Sequence, residues 1–304
     1  MALARFFQYI RKHWFIYMLA LPGLAYIALF RYGPMYGILI AFKDYKVSKG
    51  ILKSPWVGLE NFRVIFQDAE FYKVLGNTMI INLMIILCSM VFTVFLSLML
   101  NELLSSKLKK VIQTFVYLPN FLSWAVFSGL IIIFFSPSEG VVNRVITALG
   151  HESIYFLING DFFRAIVVFA VIVKGAGYDT IIYMAALSGI DPGMYESAII
   201  DGANRKDMIL HITLPRLYPT MVVVLMVNYL VNLFNSNFEV IFTLYNPLVY
   251  DKGDVLSTYL YRTGLVEGKF EQSTALGLIF SLITLTLILV INKAVKKMDV
   301  EGLL

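Results

Sequence analysis

Long apolar runs separated by short polar segments dominate this sequence of 304 residues. Several of these runs exceed the roughly 18 to 20 residues that an α-helix needs to cross a hydrocarbon core about 30 Å thick. The composition agrees, because 59% of the residues are hydrophobic and only 15% are charged, whereas about a quarter are charged in an ordinary soluble domain. The chain is therefore predicted to form one integral membrane domain.

The apolar runs should all be helices, because backbone polar groups in lipid must be satisfied within the segment that carries them. A closed β-barrel is excluded, since the runs are too long and too uniformly apolar for its strands. The predicted fold class is all-α, a polytopic helix bundle whose domain covers residues 14–292 between two terminal segments, 1–13 and 293–304. Hydropathy places its six transmembrane helices near residues 14–30, 76–100, 114–135, 162–188, 219–245 and 273–292.

The basic residues indicate the orientation of the bundle. They collect in the N-terminal segment, the loops after the second and fourth spans, and the C-terminal tail, and by the positive-inside rule both termini should be cytoplasmic. The contrast is moderate, because one external loop is also basic at Lys43, Lys46, Lys49 and Lys53. The residues that define the cytoplasmic side are Arg5, Arg11, Lys12, Lys107, Lys109, Lys110, Arg205, Lys206, Arg216, Lys293, Lys296 and Lys297.

The loop between the fourth and fifth spans, residues 189–218, has the signals of a short helix. Asp191 can cap the free amide groups at its start, and Pro192 suits the first helical position. Gly202 can adopt the left-handed conformation that ends a helix. This polar insertion between two apolar runs is therefore predicted to begin with a defined helix rather than an irregular loop.

A second short helix should follow the glycine. Asn204 and Asp207 have the spacing of a capping box, and Pro215 is expected to close the helix. On the first helix, Glu196 points away from an apolar face formed by Met194, Tyr195, Ala198 and Ile199. That face can pack against the neighbouring spans or in a groove on a partner, and the pattern alone leaves both possibilities open.

The spacing of this loop resembles the EAA loop of ABC import permeases. Glu196 is followed by Gly202, Ile212 and then Leu214-Pro215 at the offsets of that motif, and Ser197 stands where the family usually has alanine. The resemblance implies a coupling helix that sits in a cleft of a separate ATPase subunit. The residues that it assigns to coupling are Glu196, Ser197, Ala198, Asp201, Gly202, Ala203, Ile212, Leu214 and Pro215.

The resemblance continues from residues 57–62 through the last span, and residues 32–45 are similar to the complex-polysaccharide permeases within the maltose-type sugar importers. It implies a bacterial cytoplasmic-membrane permease for sugars or oligosaccharides that works by alternating access. The implied partners are a second homologous permease, a pair of cytoplasmic ATPase subunits and an extracellular or periplasmic solute-binding protein. Membrane lipid is a further partner, because aromatic residues of the external loop suit the headgroup layer.

Nucleotide chemistry is absent from the sequence itself. No phosphate-binding G-x-x-x-x-G-K-[ST] pattern occurs, and no convincing nucleophile arrangement is present. The chain is therefore predicted not to be an enzyme and to carry no cofactor. ATP and magnesium are expected on the partner ATPase. His13, His151 and His211 are far apart in sequence, so no metal site is expected.

Polar residues inside the spans are the candidates for a solute pathway, because such groups are expensive in lipid and face a cavity or a partner helix. In the fifth span, one helical stripe carries Asn228, Asn232, Asn235 and Glu239, whose amide and carboxylate groups suit hydroxyl-rich ligands. Hydrogen bonding between helices explains the stripe equally well.

The fourth span adds Lys174, Tyr178 and Asp179 to this pathway. An intramembrane lysine can meet an acidic sugar, or it can neutralise Glu239. Two other functions remain possible from the sequence. One is an importer of the same architecture for an amino acid or phosphate, and the other is a secondary transporter driven by an ion gradient, which would predict an inverted repeat.

Overall fold

The computed structural model of the protein describes residues 12–230, 233–234 and 237–296. The described part is almost entirely helical, and its only extended pairing is an isolated antiparallel bridge between Lys43 and Trp56. The helices are α1 (Trp14–Phe42), α2 (Gly50–Lys53), α3 (Glu60–Gln67), α4 (Ala69–Glu102), α5 (Ser106–Phe121), α6 (Trp124–Phe134), α7 (Val141–Ala148), α8 (Gly160–Ser188), α9 (Pro192–Ile200), α10 (Arg205–Leu230), α11 (Phe238–Leu244), α12 (Tyr250–Gly253), α13 (Leu256–Tyr261) and α14 (Phe270–Lys296).

The chain divides into two compact units. One unit holds the residues up to Gln67 together with Thr263–Ile279, and the other holds Asp68–Arg262 with the residues from Phe280 onward. Among the described residues, five helices are long and apolar enough to cross a membrane, and the bent pair α5 and α6 makes a sixth span if it is taken as one. The predicted all-α membrane fold is therefore confirmed.

In the first unit, α1 continues to Phe42, well beyond the predicted end at residue 30, because the following residues are also apolar. The external loop after it is ordered by its own polar contacts. The Asn61 amide donates to the carbonyl oxygens of Ala41 and Lys43 at 3.0 and 2.9 Å. The Lys43 ammonium donates to the Ile51 carbonyl at 2.6 Å. These bonds satisfy buried backbone groups just outside the span.

The second unit is built around α4 and α8. Ile81 and Ile85 of α4 belong to the same buried cluster as Phe163 and Val167 of α8, and Val240 of α11 completes this part of the core. These are the large aliphatic and aromatic side chains that fill close-packed interiors. Helix α11 therefore packs in the same core as α4 and α8.

Three hydroxyl groups on the buried face of α4 donate hydrogen bonds within the helix itself. Thr78, Thr93 and Ser97 each donate to the carbonyl oxygen four residues earlier, at 2.8, 2.7 and 2.7 Å. Such back-bonding removes the need for water at these positions. Polar residues in a span are consequently not all candidates for a solute pathway.

The third span is a bent pair of helices, so the prediction of one helix over 114–135 was wrong. The axes of α5 and α6 differ by 106° across a break of two residues. Pro119 and Asn120 precede the break, and the Ser123 hydroxyl caps α6 by accepting from the Val126 amide at 3.3 Å. A turn-forming Pro-Asn pair followed by a helix cap overrides the apolar character of the run.

The fifth span also differs from its predicted limits of 219–245. The helix begins earlier, at Arg205, and α10 ends at Leu230, after which Phe238–Leu244 forms the separate helix α11. Asn237, which precedes α11, has a φ of 66°. Asparagine tolerates this left-handed conformation better than most residues.

The segment after α11 is tied to α4 by charged groups. The Arg262 guanidinium donates to Asp254 and to Glu70, both at 2.7 Å. Burial alone would lower the pKa of Arg262, but its hydrogen bonds to the two carboxylates outweigh that effect and raise it above the usual value. Since Asp254 is almost fully buried, the pair keeps this carboxylate from being left without a partner.

Helices α8 and α5 approach each other closely at Gly177. A methyl group on Gly177 would lie 2.7 Å from the Val116 carbonyl oxygen and 2.8 Å from the Tyr117 α-carbon. Two residues earlier in the same helix, a methyl group on Gly175 would meet nothing within 4 Å. Glycine is therefore required at the first position by packing and not at the second.

Gly177→Ala should destabilise the protein by about 1–3 kcal/mol, because the added carbon forces two backbones apart. Gly175→Ala is the matched control and should be neutral or slightly stabilising, since alanine favours helix. The temperature at which the detergent-solubilised protein loses its monodisperse chromatographic peak measures both variants. Equal temperatures for the two variants would contradict this close crossing.

Candidate functional site

The first part of the site is the loop that leads from α8 through α9 to α10. As predicted, the Asp191 carboxylate caps α9 by accepting from the Gly193 amide at 2.9 Å, and Pro192 occupies the first turn. Gly202 follows α9 with a φ of 84°, which is the left-handed conformation expected of it. These three local predictions are confirmed.

The start of α10 also follows the sequence. Asn204 accepts from the Asp207 amide, while the Asp207 carboxylate accepts from the Asn204 amide, both at 3.1 Å. This reciprocal pair is a capping box. The Arg205 guanidinium lies 3.3 Å from the Glu102 carboxylate at the end of α4, so the corner is also held against the bundle.

Pro215 does not close a short helix, so that prediction was wrong. Residues Ile209–Thr213 form a turn of wider π-type hydrogen bonding, and Leu214–Val224 continue the same helix. A register change of this kind can accommodate a residue that lacks an amide hydrogen. The second element of the loop is therefore the beginning of the long helix α10.

The two faces of α9 differ in exposure. Met194, Tyr195 and Ala198 are half-buried, and the Tyr195 hydroxyl lies 3.0 Å from that of Thr213. Ile199, predicted to share their face, is exposed. The face directed away from the bundle is formed by Glu196, Ser197, Ile199 and Ile200, and Ile200 is 86% exposed.

The other residues that the motif assigns to coupling lie at the corner and along the first turns of α10. Asp201, Gly202 and Pro215 are exposed, whereas Ala203, Ile212 and Leu214 are half-buried. The loop thus presents an acidic group and two isoleucines on a firmly capped helix. This arrangement suits docking of a soluble partner, because exposed apolar side chains rimmed by polar ones are typical of such surfaces.

The second part of the site is a cavity of about 370 Å³ beside the bend between α5 and α6, to whose lining Lys174 of α8 and Glu239 of α11 belong. Lys174 is only 8% exposed. Its ammonium donates to the carbonyl oxygens of Pro119, Asn120 and Leu122 at 3.3, 3.0 and 2.6 Å. It also lies 5.2 Å from the centre of the Trp124 ring. The lysine therefore satisfies the backbone at the bend, where the helical hydrogen bonds are interrupted.

Glu239 reaches the cavity because α11 is anchored on both sides. The Asn82 amide of α4 donates to the Leu233 carbonyl, and the Asn237 amide donates to the Asn82 side-chain oxygen, both at 3.0 Å. The Thr243 hydroxyl of α11 lies 2.7 Å from that of Ser128 in α6. Lys174 and Glu239, which the sequence suggested as an intramembrane charge pair, thus line the same cavity without forming a salt bridge within the part of the chain that the structure describes.

Asp179 and Asn228 belong to a different polar cluster. The Asn228 amide and the Tyr229 hydroxyl donate to the two oxygens of the Asp179 carboxylate at 2.7 and 2.6 Å. These bonds join α8 to α10. For Asn228, the structure thus favours the interpretation as a hydrogen bond between helices.

Among the remaining pathway candidates, only Tyr178 lies within the described residues, and the structure does not bring it to the cavity. Tyr178 is 55% exposed and is not among the residues that line it. Asn232 and Asn235 lie outside the described residues. The sequence reasoning also missed Trp124, which lines the cavity. Trp124 could have been identified from its position immediately after a Pro-Asn break and a capping serine.

Comparison with known proteins places this geometry in a family. Residues 93–299 match the family model described as binding-protein-dependent transport system inner membrane component. The chain belongs to that family. It is therefore the permease subunit of an ABC importer in the membrane, and ATP hydrolysis resides in a separate subunit.

Individual members of the family match along nearly the whole permease. Protein LplB of Bacillus subtilis (strain 168) is 39% identical over 96% of this chain and 92% of its own length. The polygalacturonan/rhamnogalacturonan transport system permease protein YteP of the same organism is 37% identical over 95% and 90%. These matches favour the importer over the ion-gradient transporter.

A solved structure supports the same assignment. The permease is similar, with a TM-score of 0.90 and 36% identity, to a chain of a bacterial alginate ABC transporter in complex with an alginate pentasaccharide-bound periplasmic protein. The alignment covers 98% of this permease and 100% of that chain. The predicted membrane-bundle fold is thereby confirmed, and the family description confirms the dependence on a binding protein.

Proposed function

We propose that this permease imports oligosaccharides that contain uronic acids. The observation that carries the proposal is the near-complete match to YteP and to the alginate transporter chain at 37% and 36% identity. Polygalacturonan and alginate are both polyuronates, so two relatives of similar identity handle the same chemical class. The cavity beside Lys174 has Asn120, Ser123 and Glu239 in its lining, and these side chains can hydrogen-bond a hydroxyl-rich solute.

The loop of residues 189–218 faces the cytoplasm in this proposal, as do both termini, and the clustered basic residues support that orientation. ATP and magnesium are bound by a pair of partner ATPase subunits, and a second, homologous permease completes the pathway. Closure of the ATPase pair pushes α9 through the surface that contains Glu196. Since Gly202 leads directly into α10, the displacement of α9 is transmitted to the spans. The cavity then opens to the outside instead of to the cytoplasm.

The direct test of substrate class uses the complete transporter. The tagged chain is purified with its co-expressed partners, placed in proteoliposomes and supplied with liganded binding protein. Uptake of labelled alginate pentasaccharide or an oligogalacturonide should require ATP and should exceed uptake of an amino acid or phosphate. Uptake that proceeds without ATP, or a preference for the smaller solutes, would contradict the proposal.

The coupling role of α9 is tested in the same complex. Glu196→Lys reverses a charge at the docking face and should lower binding-protein-stimulated ATPase activity at least about tenfold, while the complex stays inserted in the membrane.

Gly202→Val should have a similar effect, because a side chain is strained at this left-handed corner by about 1–2 kcal/mol. Gly189→Ala is the control and should behave like the parent, since its added carbon makes only ordinary contact with the Ala186 carbonyl at 3.4 Å. Parent-like stimulation in both Glu196→Lys and Gly202→Val would show that the loop does not couple the subunits.

A further inference from the structure

The ammonium of Lys174 uses its hydrogen-bond donors on the protein itself. An ammonium group has three hydrogen-bond donors, and the carbonyl oxygens of Pro119, Asn120 and Leu122 surround the Lys174 nitrogen at 2.6 to 3.3 Å. Its position over the Trp124 ring further limits access. An acidic sugar that entered the cavity would therefore find no free donor on this lysine.

Glu239 is in the opposite situation. Its side chain is exposed at the first turn of α11 and lines the cavity. Within the described ranges, its carboxylate makes no hydrogen bond or ion pair, and its negative charge faces the positive charge of Lys174. A carboxylate at membrane depth is too costly to face lipid. Because Glu239 lines the cavity, its open side faces that space and not lipid.

The surrounding contacts hold in place the helix that carries this carboxylate. Asn82 and Asn237 anchor the segment before α11, and Thr243 joins α11 to Ser128 of α6. Lys174 holds the bend that carries Trp124 and Asn120 on the other side of the cavity. An acceptor on an anchored helix loses less backbone freedom when a ligand binds than an acceptor on a mobile loop.

We propose that Glu239 is a specificity-determining residue at a sugar subsite of this cavity, with Lys174 as the residue that positions the cavity wall. The inference rests on the proposed function and deepens it. The two carboxylate oxygens accept hydrogen bonds from neighbouring hydroxyl groups of one sugar unit, since an ionised carboxylate is an acceptor only. The indole of Trp124 lines the same space and supplies an apolar surface for the ring.

The charge of Glu239 also orients a uronate unit. Like charges repel, so the sugar unit presents its hydroxyl edge to Glu239 and keeps its own carboxylate away. The positive charge of Lys174 is balanced by the negative charge of Glu239. The cavity therefore does not bind a polyanion too tightly to release it. Transit requires binding that is weak enough for release, and a balanced pair meets this requirement.

The test compares Glu239→Leu, Glu239→Gln and the exposed control Glu152→Leu in the full transporter in proteoliposomes. The probe is alginate pentasaccharide delivered by the binding protein, and the readouts are sugar uptake and ATP hydrolysis in the same sample. Glu239→Leu should lower the uptake per ATP hydrolysed about 10-fold or more, the value expected for losing hydrogen bonds to a charged group. ATPase stimulation should remain within about twofold of the parent, because the coupling loop is unchanged.

Glu239→Gln should lie between Glu239→Leu and the parent, since its amide oxygen still accepts a hydrogen bond, and Glu152→Leu should match the parent. Parent-like uptake per ATP in Glu239→Leu would overturn the subsite while leaving the proposed function intact. An equal fall of uptake and ATPase activity would also overturn it, since that result indicates a purely structural role. If the unaltered transporter takes up no uronate oligosaccharide, the proposed function fails and the subsite fails with it.

Discussion

Backbone polar groups inside the membrane must find partners within the protein, and this requirement governs where the helices of this permease can bend. At the bend between α5 and α6, the Lys174 ammonium donates to the carbonyl oxygens of Asn120 and Leu122, and it shares the Pro119 carbonyl with the Leu122 amide. Before α11, Asn82 performs the same task for the Leu233 carbonyl. Residues next to both breaks line the cavity, so the groups that permit irregular backbone also shape that cavity.

The long helix α10 connects the two parts of the site. It begins three residues after Gly202 and continues as one helix through Pro215 to Leu230. Near its far end, Asn228 and Tyr229 hold the Asp179 carboxylate of α8. A continuous helix transmits displacement better than two short ones, because no flexible joint absorbs the movement. The wide turn that keeps α10 intact at the proline is therefore part of the proposed coupling mechanism.

Local chemistry was predictable from the sequence, and contacts between distant segments were not. The caps at Asp191 and Asn204 and the left-handed Gly202 depend on residues within a few positions of each other, so their patterns predicted them. The third span looked continuous because its residues are apolar on both sides of the bend. What stabilises that bend is a lysine more than 50 residues later, and a hydropathy pattern contains no information about that pairing.

The claim that Lys174 maintains the bend is tested most directly by a distance across it. Spin labels at Lys107→Cys in α5 and Ile133→Cys in α6, both exposed, are placed in a Cys88→Ser background, and pulsed electron paramagnetic resonance is recorded on the complex in lipid nanodiscs. With Lys174 present, the account predicts one narrow distance distribution. Lys174→Met should broaden or shift it, and Lys174→Arg, which keeps several donors, should largely restore it. An equally narrow, unshifted distribution in Lys174→Met would contradict the account.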